Sequence, residues 1–173
     1  KTKPTQHSVK ELLSVVIQAD ILLCRADREI SPDARRKLAL FCNVSEACVI
    51  AALDAPTVYH VPLQYHAEGF DEQVCKFFGF DPALYKPDLT KWHQIVENLE
   101  NDNPKVRIGI VGKYVELADA YKSVIESVTH GGIKNHVSTE LVWINADEED
   151  FETLEKNLLG VDGLIVPGGF GER

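Results

Sequence analysis

The stretch Val106-Arg107-Ile108-Gly109-Ile110-Val111-Gly112 decides the fold class of this chain. Its short, nearly continuous apolar run predicts a strand over 106–111 that is buried on both faces of a sheet. The glycine that ends the run is typical of a turn from a strand into a loop. A polar, turn-forming segment at 100–104 precedes the strand. This segment predicts the main boundary between two parts of the chain.

Alternating elements follow this strand. The patterns predict a loop over 112–119, a helix over 120–130, a strand over 137–144, an acidic helix over 147–158 and a strand over 162–166. The order β-α-β-α-β predicts a parallel sheet with right-handed crossovers, and therefore an α/β fold. Ligands bind such sheets at the carboxyl ends of the strands. Two of these ends carry glycine, at Gly112 and at Gly168-Gly169.

The residues before the boundary also predict helices and strands in alternation. A capping box at Ser8 and Glu11 predicts a helix that begins at Ser8, and Ser31-Pro32 predicts the start of a second helix that ends near Cys42. The apolar runs 21–24 and 49–53 predict buried strands. Weaker patterns predict helices near 59–67 and 71–78, a loop over 81–88 and an amphipathic helix over 89–99.

Composition excludes several classes of protein. The chain has 173 residues, of which 45% are hydrophobic and 26% are charged, as in ordinary globular proteins. The apolar runs are too short to span a bilayer, so we expect no membrane partner and a cytoplasmic location. The net charge of −9 disfavours a nucleic-acid partner. The four cysteines lack C-x-x-C spacing, which favours free thiols in a reducing compartment and no metal site in this chain.

The first six residues are the most informative polar segment. Lys1, Thr2, Lys3, Pro4, Thr5 and Gln6 combine two cations, two hydroxyls and an amide in an otherwise acidic chain. Ammonium and hydroxyl groups suit phosphate oxygens, and an amide can bind the edge of a base. Pro4 favours extended geometry for Thr2-Lys3. The alternative is a polar surface segment without a ligand.

Further candidates follow predicted strands or lie on a predicted helix. The segment Arg25-Ala26-Asp27-Arg28 follows the strand at 21–24, where a nucleotide would lie, or forms a surface turn held by ion pairs. Backbone groups at Asp54-Ala55 follow the strand at 49–53 and either bind an adenine or form an ordinary turn. Lys37 lies beside the apolar face of the second helix and either contacts a phosphate or is solvated.

The glycine-rich run at 167–171 could bring backbone N–H groups close to a developing oxyanion, or form an ordinary turn. The histidines and cysteines form no recognisable zinc motif or nucleophile elbow. The chain contains no methionine and ends in this glycine-rich run. We therefore expect it to be an internal piece of a longer polypeptide.

Five blocks, taken in order, resemble the bacterial CTP synthase family. They are K-T-K-P-T-Q-H-S-V-K-E-L-L (1–13), D-I-L-L-C-R (20–25), K-L-A-L-F-C-N-V (37–44), I-G-I-V-G-K-Y-V-E-L-A-D-A-Y-K-S-V-I-E (108–126) and V-P-G-G-F-G (166–171). The resemblance implies the end of a P-loop-like amidoligase domain at 1–80, a linker at 81–104 and the start of a class I glutaminase domain at 105–173.

The resemblance also implies an activity. ATP phosphorylates O4 of UTP, and ammonia from glutamine hydrolysis then displaces the phosphate to give CTP. Mg²⁺ accompanies ATP, GTP activates, CTP inhibits, and the active form is a homotetramer. The P-loop, the magnesium carboxylates and the Cys-His-Glu triad are expected outside this chain. It should therefore neither make CTP nor hydrolyse glutamine alone.

Individual residues take roles from the same resemblance. UTP and CTP contacts are implied for Lys1, Thr2, Lys3, Pro4, Thr5, Gln6 and Lys37, and ATP contacts for Arg25, Leu53, Asp54 and Ala55. Gly169 is expected to bind glutamine and its oxyanion, and Phe170 to respond to GTP. Two alternatives stay open: a non-catalytic, flavodoxin-like nucleotide-binding module, and a glutaminase subunit of another pathway.

Overall fold

The computed structural model describes residues 2–147 and 150–168, without the side chain of Ala118. The chain divides into two compact units, Lys1–Val96 and Glu97–Arg173, and each unit contains a small parallel sheet. The α/β class predicted from the sequence is therefore confirmed.

The first unit carries two strands and several helices. They are α1 (Lys3–Ser14), β1 (Leu22–Ala26), α2 (Pro32–Cys42), β2 (Val49–Leu53), α3 (Val61–Ala67), α4 (Phe70–Phe77) and α5 (Thr90–Glu100), and α5 contains the boundary between the units. The strands β1 and β2 pair in parallel from Leu22 opposite Val49 to Ala26 opposite Leu53. The strand predicted at 49–53 is confirmed, whereas β1 starts and ends later than the predicted 21–24.

The start of α2 matches its sequence signal. Ser31 is the N-cap, and its hydroxyl oxygen accepts a hydrogen bond from the backbone N–H of Ala34 at 3.3 Å. Pro32 occupies the first helical position, where the N–H that proline lacks would have no helical partner. The cap and the proline together fix the start of α2 at the predicted residue.

The start of α1 differs from both predictions made for it. The helix begins at Lys3 rather than at Ser8, and Thr2 is helical, with φ −87° and ψ −17°, rather than extended. Pro4 lies in the first turn, where its fixed φ suits a helix and its missing N–H costs nothing. Ser8 lies inside the helix, and its hydroxyl donates to the Pro4 carbonyl at 3.1 Å.

The core of the first unit lies between α1, α2 and the two strands. Its buried members are Val9, Leu22, Cys24, Leu38, Ala39, Cys42 and Val49. All four cysteines are free thiols, and burial raises the pKa of the thiols of Cys24 and Cys42. The shared core packs α1 and α2 against β1 and β2, and the ends of these strands carry the candidate nucleotide contacts.

The outer edge of β2 is covered by an ion pair. The Glu68 carboxylate accepts hydrogen bonds at 2.9 Å from the Ala51 backbone N–H and from the Arg35 guanidinium, which also donates to the Val49 carbonyl. The Asp54 N–H, by contrast, donates towards β1, to the Ala26 carbonyl at 3.1 Å. Because backbone direction alternates along a strand, the groups of Val49 and Ala51 point away from β1 and find partners in these side chains.

The second unit is built on a central parallel strand. Its elements are β3 (Lys105–Gly112), α6 (Lys122–Asn135), β4 (Ser138–Asn145), α7 (Phe151–Leu159) and β5 (Gly163–Ile165), and the strand order is β4-β3-β5. Both pairings are parallel, so the predicted β-α-β-α-β arrangement is confirmed. In the described parts of both units, no helix is long and apolar enough to cross a membrane.

Close packing around β3 depends on a glycine. A Cβ on Gly109 would lie 2.6 Å from Leu164 Cδ2 and 3.0 Å from Ile144 Cδ1. Ile110 and Ile144 are almost completely buried. The absence of a side chain at Gly109 therefore lets the neighbouring strands pack their apolar side chains over β3.

Candidate functional site

A cavity of about 400 Å³ opens beside the carboxyl end of β1. The N-terminal turn of α1 contributes Thr2 and Thr5 to its wall, and the residues after β1 contribute charged groups. The complete lining is Thr2, Thr5, Cys24, Arg25, Ala26, Asp27, Arg28, Glu29, Ile30, Ser31, Ala34 and Leu38. Hydroxyl and guanidinium groups thus converge on one cavity, a combination that suits phosphate oxygens.

A second cavity of about 280 Å³ lies at the carboxyl end of β2. Its lining is Arg25, Ala52, Leu53, Asp54, Ala55, Thr57, Val58, Val61 and Tyr65. All four residues proposed from the sequence to contact ATP therefore line the same cavity. Its wall combines apolar side chains with the backbone that follows β2, and such a wall suits a flat heterocycle.

An ion pair joins the ends of the two strands. The Asp54 Oδ1 atom accepts hydrogen bonds from Arg25 Nη2 at 3.0 Å and from Arg25 Nε at 3.3 Å. The two residues are 29 positions apart in sequence, and parallel pairing of β1 and β2 brings them together. The ion pair of Arg25 therefore joins the two strand ends at the cavities and does not lie within the turn that follows β1.

A neighbouring pair involves Arg28. Its guanidinium donates to both carboxylate oxygens of Asp27, at 3.0 and 2.9 Å. These hydrogen bonds hold the pKa of Asp27 below its ordinary value. Together with Arg25, Asp54 and Glu29, this pair gives the linings of the two cavities two guanidinium groups and three carboxylates.

The other residues of the N-terminal segment are arranged by the helix. Gln6 Nε2 donates to Thr2 Oγ1 at 3.1 Å, so the amide that was expected to bind a base is bonded within α1. Lys3 and Pro4 are exposed in the first turn of α1. Lys37 is exposed on α2 and is not among the residues that line the two cavities. Lys1 lies outside the described residues.

The second unit offers a separate glycine-marked edge. Gly112 ends β3, and the Tyr121 hydroxyl lies close to it and accepts a hydrogen bond from the Tyr114 N–H at 3.3 Å. Lys113 Nζ lies 3.6 Å from Asp147 Oδ1. The expected oxyanion and GTP positions, Gly169 and Phe170, lie outside the described residues.

Comparison with known proteins shows which proteins this chain resembles. The sequence model described as CTP synthase N-terminus matches residues 1–80, and the one described as glutamine amidotransferase class-I matches residues 116–173. The whole chain is 57% identical to a CTP synthase of Rhodospirillum centenum, 54% identical to one of Azospirillum brasilense and 55% identical to one of Brucella anthropi. It spans 32% of the length of each of these relatives.

Over its whole length, the chain is thus similar to members of the CTP synthase family. Both cavities at the ends of β1 and β2 lie within the part that matches the CTP synthase N-terminus. The glycine-marked end of β5 lies within the part that matches the amidotransferase. These matches do not favour the alternative of a flavodoxin-like binding module.

Some residues that line the cavities were not singled out from the sequence. Thr57, Val58, Val61 and Tyr65 line the second cavity but were assigned no role. A signal was present, because positions 58, 61 and 65 are spaced as on one face of a helix that begins just after the break at Pro56. Arg28, which belongs to the same R-A-D-R segment as Arg25, also lines the first cavity.

The described residues contain no group of three His, Cys, Asp or Glu side chains arranged to hold a metal ion. The carboxylates Asp27 and Asp54 at the cavities are engaged by Arg28 and Arg25. No step in this region is therefore assigned to a magnesium ion held by this chain.

Proposed function

We propose that this chain serves as a segment of an enzyme that aminates UTP to CTP, with ATP as the phosphoryl donor and glutamine as the source of ammonia. The observation that carries the proposal is the identity of 53–57% over the whole chain to curated CTP synthases. The matches to the CTP synthase N-terminus and to the class-I glutamine amidotransferase also follow each other along this one chain.

The pyrimidine nucleotide is assigned to the first cavity and the first turn of α1. Lys1, Thr2, Lys3, Pro4, Thr5 and Gln6 supply the segment that contacts UTP, or CTP as an inhibitor, and Lys37 supplies a further cation. The convergence of Thr2 and Thr5 with two arginines supports the assignment. The N-terminal turn of α1 adds unpaired backbone N–H groups and the positive end of the helix dipole.

ATP is assigned to the second cavity. The backbone at Leu53, Asp54 and Ala55 offers donors and acceptors for the adenine edge, and Arg25 offers a cation for phosphate oxygens. Because Arg25 belongs to the lining of both cavities, the two nucleotides would lie side by side. Such proximity is what phosphoryl transfer from ATP to O4 of UTP requires. Mg²⁺ accompanies ATP in this proposal and is held outside the described residues.

The second unit is assigned to the release of ammonia. Backbone N–H groups of the glycine-rich segment that follows β5, with Gly169 among them, would stabilise the oxyanion formed during glutamine hydrolysis. Phe170 is assigned to the response to GTP, the activator. The proposed active form is a homotetramer.

The test measures CTP formation by the full-length enzyme that carries this sequence. Ultraviolet absorbance follows the conversion of UTP with ATP and magnesium, first with glutamine and then with ammonium chloride. CTP should form with either nitrogen source, and GTP should accelerate only the glutamine-dependent reaction. Failure to form CTP with both sources would contradict the proposal. Flavin binding without binding of UTP would point to the module that the comparisons do not favour.

A further inference from the structure

Arg25 occupies a position shared by two binding cavities. It belongs to the lining of the cavity that contains Thr2 and Thr5, and also to that of the cavity formed by the residues after β2. Its side chain is 85% exposed, so packing does not fix its direction. An arginine with this freedom would lose side-chain entropy on contacting a ligand. What holds Arg25 in place therefore bears on how well either cavity binds.

The group that holds Arg25 is the Asp54 carboxylate. Asp54 Oδ1 accepts from both Nε and Nη2 of the guanidinium, and two contacts fix its direction better than one. The Asp54 backbone is itself fixed, because its N–H donates to the Ala26 carbonyl at 3.1 Å. The carboxylate is thus anchored to the strand from which Arg25 projects.

The pairing leaves part of the guanidinium available. Arginine has five N–H donors, and the two contacts with Asp54 leave the remaining donors on Nη1 and Nη2 to other acceptors. Phosphate oxygens are acceptors whose charge and geometry match such a donor set. Asp54 therefore orients the cation without using up its donors.

We infer that Asp54 is a positioning residue. Its side chain holds the Arg25 guanidinium at the boundary between the two cavities, where that cation contacts phosphate oxygens of the bound nucleotides. This inference rests on the proposed function and deepens it, because it gives the Asp54 side chain a role beyond the backbone contacts assigned to residues 53–55. The Asp54–Arg25 pair thereby influences the binding of ATP and of the pyrimidine nucleotide together.

A double-mutant cycle in the full-length enzyme tests the inference. The variants are Asp54→Asn, Arg25→Ala and the double variant, with ammonium chloride as nitrogen source so that the readout is independent of glutamine hydrolysis. Asp54→Asn should raise the KM for ATP about fivefold, the upper end of what an exposed ion pair contributes, and the KM for UTP should rise with it. In the Arg25→Ala background, Asp54→Asn should add no further increase, because the carboxylate acts through the arginine.

The matched control is Asp33→Asn, which removes another exposed aspartate–arginine pair, formed with Arg36 on α2. Asp33 is not among the residues that line the two cavities, and its variant should keep both KM values. Unchanged KM values in Asp54→Asn, or an equally large effect with and without Arg25, would overturn the inference. If Asp54→Asn fails to fold, the KM values of Arg25→Ala test the inference instead. Unchanged KM values for ATP and UTP in Arg25→Ala would also overturn the inference.

The cycle also separates this inference from the proposal on which it rests. A wild-type enzyme that forms CTP, together with an unaltered Asp54→Asn variant, would defeat the inference alone. A wild-type enzyme that forms no CTP from either nitrogen source would defeat the proposed function and the inference with it.

Discussion

A Cβ atom on Gly112 would lie 2.1 Å from the hydroxyl oxygen of Tyr121 and 2.7 Å from its Cζ atom. The end of β3 and the residue before α6 are therefore in contact at a place where only glycine fits. The Tyr121 ring also packs against Trp143 of β4, with 5.6 Å between the ring centroids. Tyr121 thus connects the end of β3 to the neighbouring strand.

Gly112→Ala should destabilise the second unit by about 1–3 kcal/mol, because the new methyl group must displace the Tyr121 ring. Urea unfolding followed by tryptophan fluorescence measures the loss. The control is Gly131→Ala in α6, where a Cβ would meet nothing within 4 Å. That variant should be neutral or stabilise the unit by about 0.5–1 kcal/mol, because alanine favours a helix over glycine. Equal behaviour of the two variants would contradict the proposed contact.

Glu68→Gln should loosen the edge of β2. Burial opposes ionisation of Glu68, but the hydrogen bonds from Arg35 and from the Ala51 N–H outweigh it and hold the pKa of the carboxyl below its ordinary value. Because the pKa of Glu68 is lower in the folded state than in the unfolded state, its carboxylate stabilises the fold at pH values above the ordinary glutamate pKa. This stabilisation is lost as the pH falls through the pKa of the folded state. We expect a loss of about 1 kcal/mol in the variant at neutral pH.

Hydrogen exchange at the Ala51 amide measures this effect directly. Exchange should be faster in Glu68→Gln than in the wild type at neutral pH, and the difference in protection should shrink in acid. A difference that grows as the pH falls would show that the carboxylate does not act in its charged form. Glu72→Gln is the control, since that carboxylate is exposed on α4 and pairs only loosely with Lys76, at 3.9 Å.

Ser31→Ala and Ser8→Ala should have different effects on stability. The Ser31 hydroxyl caps α2, and its loss should cost about 1 kcal/mol of unfolding free energy. The Ser8 hydroxyl donates to the Pro4 carbonyl inside α1, where alanine is the better helix former. Ser8→Ala should therefore leave stability unchanged or raise it slightly. Chemical unfolding of both variants measures these free energies. A loss of unfolding free energy in Ser8→Ala as large as that in Ser31→Ala would mean that Ser8 caps a helix.

Lys3→Ala and Lys37→Ala should weaken UTP binding and CTP inhibition together in the full-length enzyme. Under the proposed function, each variant would remove one charge-assisted contact to phosphate, worth about 1.5–3 kcal/mol. Steady-state kinetics with varied UTP, with and without CTP, measures both effects. Lys10→Ala is the control, because Lys10 is also exposed on α1 but follows the first turn. An inhibition constant for CTP that stays unchanged would remove the tested lysine from the nucleotide site.

Local sequence signals predicted helices and strands well where no neighbouring residue favoured a different start or end. Ser31-Pro32 determined the start of α2, and the apolar run at 49–53 determined β2. At Ser8 the same kind of signal failed, because Pro4 upstream already provides a favourable first turn and the helix extends back to Lys3. The capping pattern was genuine in sequence, but its serine lies inside the helix.

Several residues that line the two cavities were named from the sequence, but their arrangement was not. Arg25, Asp54 and Ala55 were singled out from their positions after predicted strands, and Leu53 from the family resemblance. That Asp54 would hold Arg25, and that Arg25 would line two cavities, depends on the register of β1 against β2. Register is a long-range property, and no spacing within one segment encodes it.

The Arg35–Glu68 pair, which covers the outer edge of β2, bears on whether copies of this chain can aggregate through that edge. A strand from another copy that approached this border would have to displace both side chains before it could form backbone hydrogen bonds. Natural sheets resist aggregation by blocking their exposed margins in this way. The Arg35–Glu68 pair thereby disfavours intermolecular strand pairing through β2.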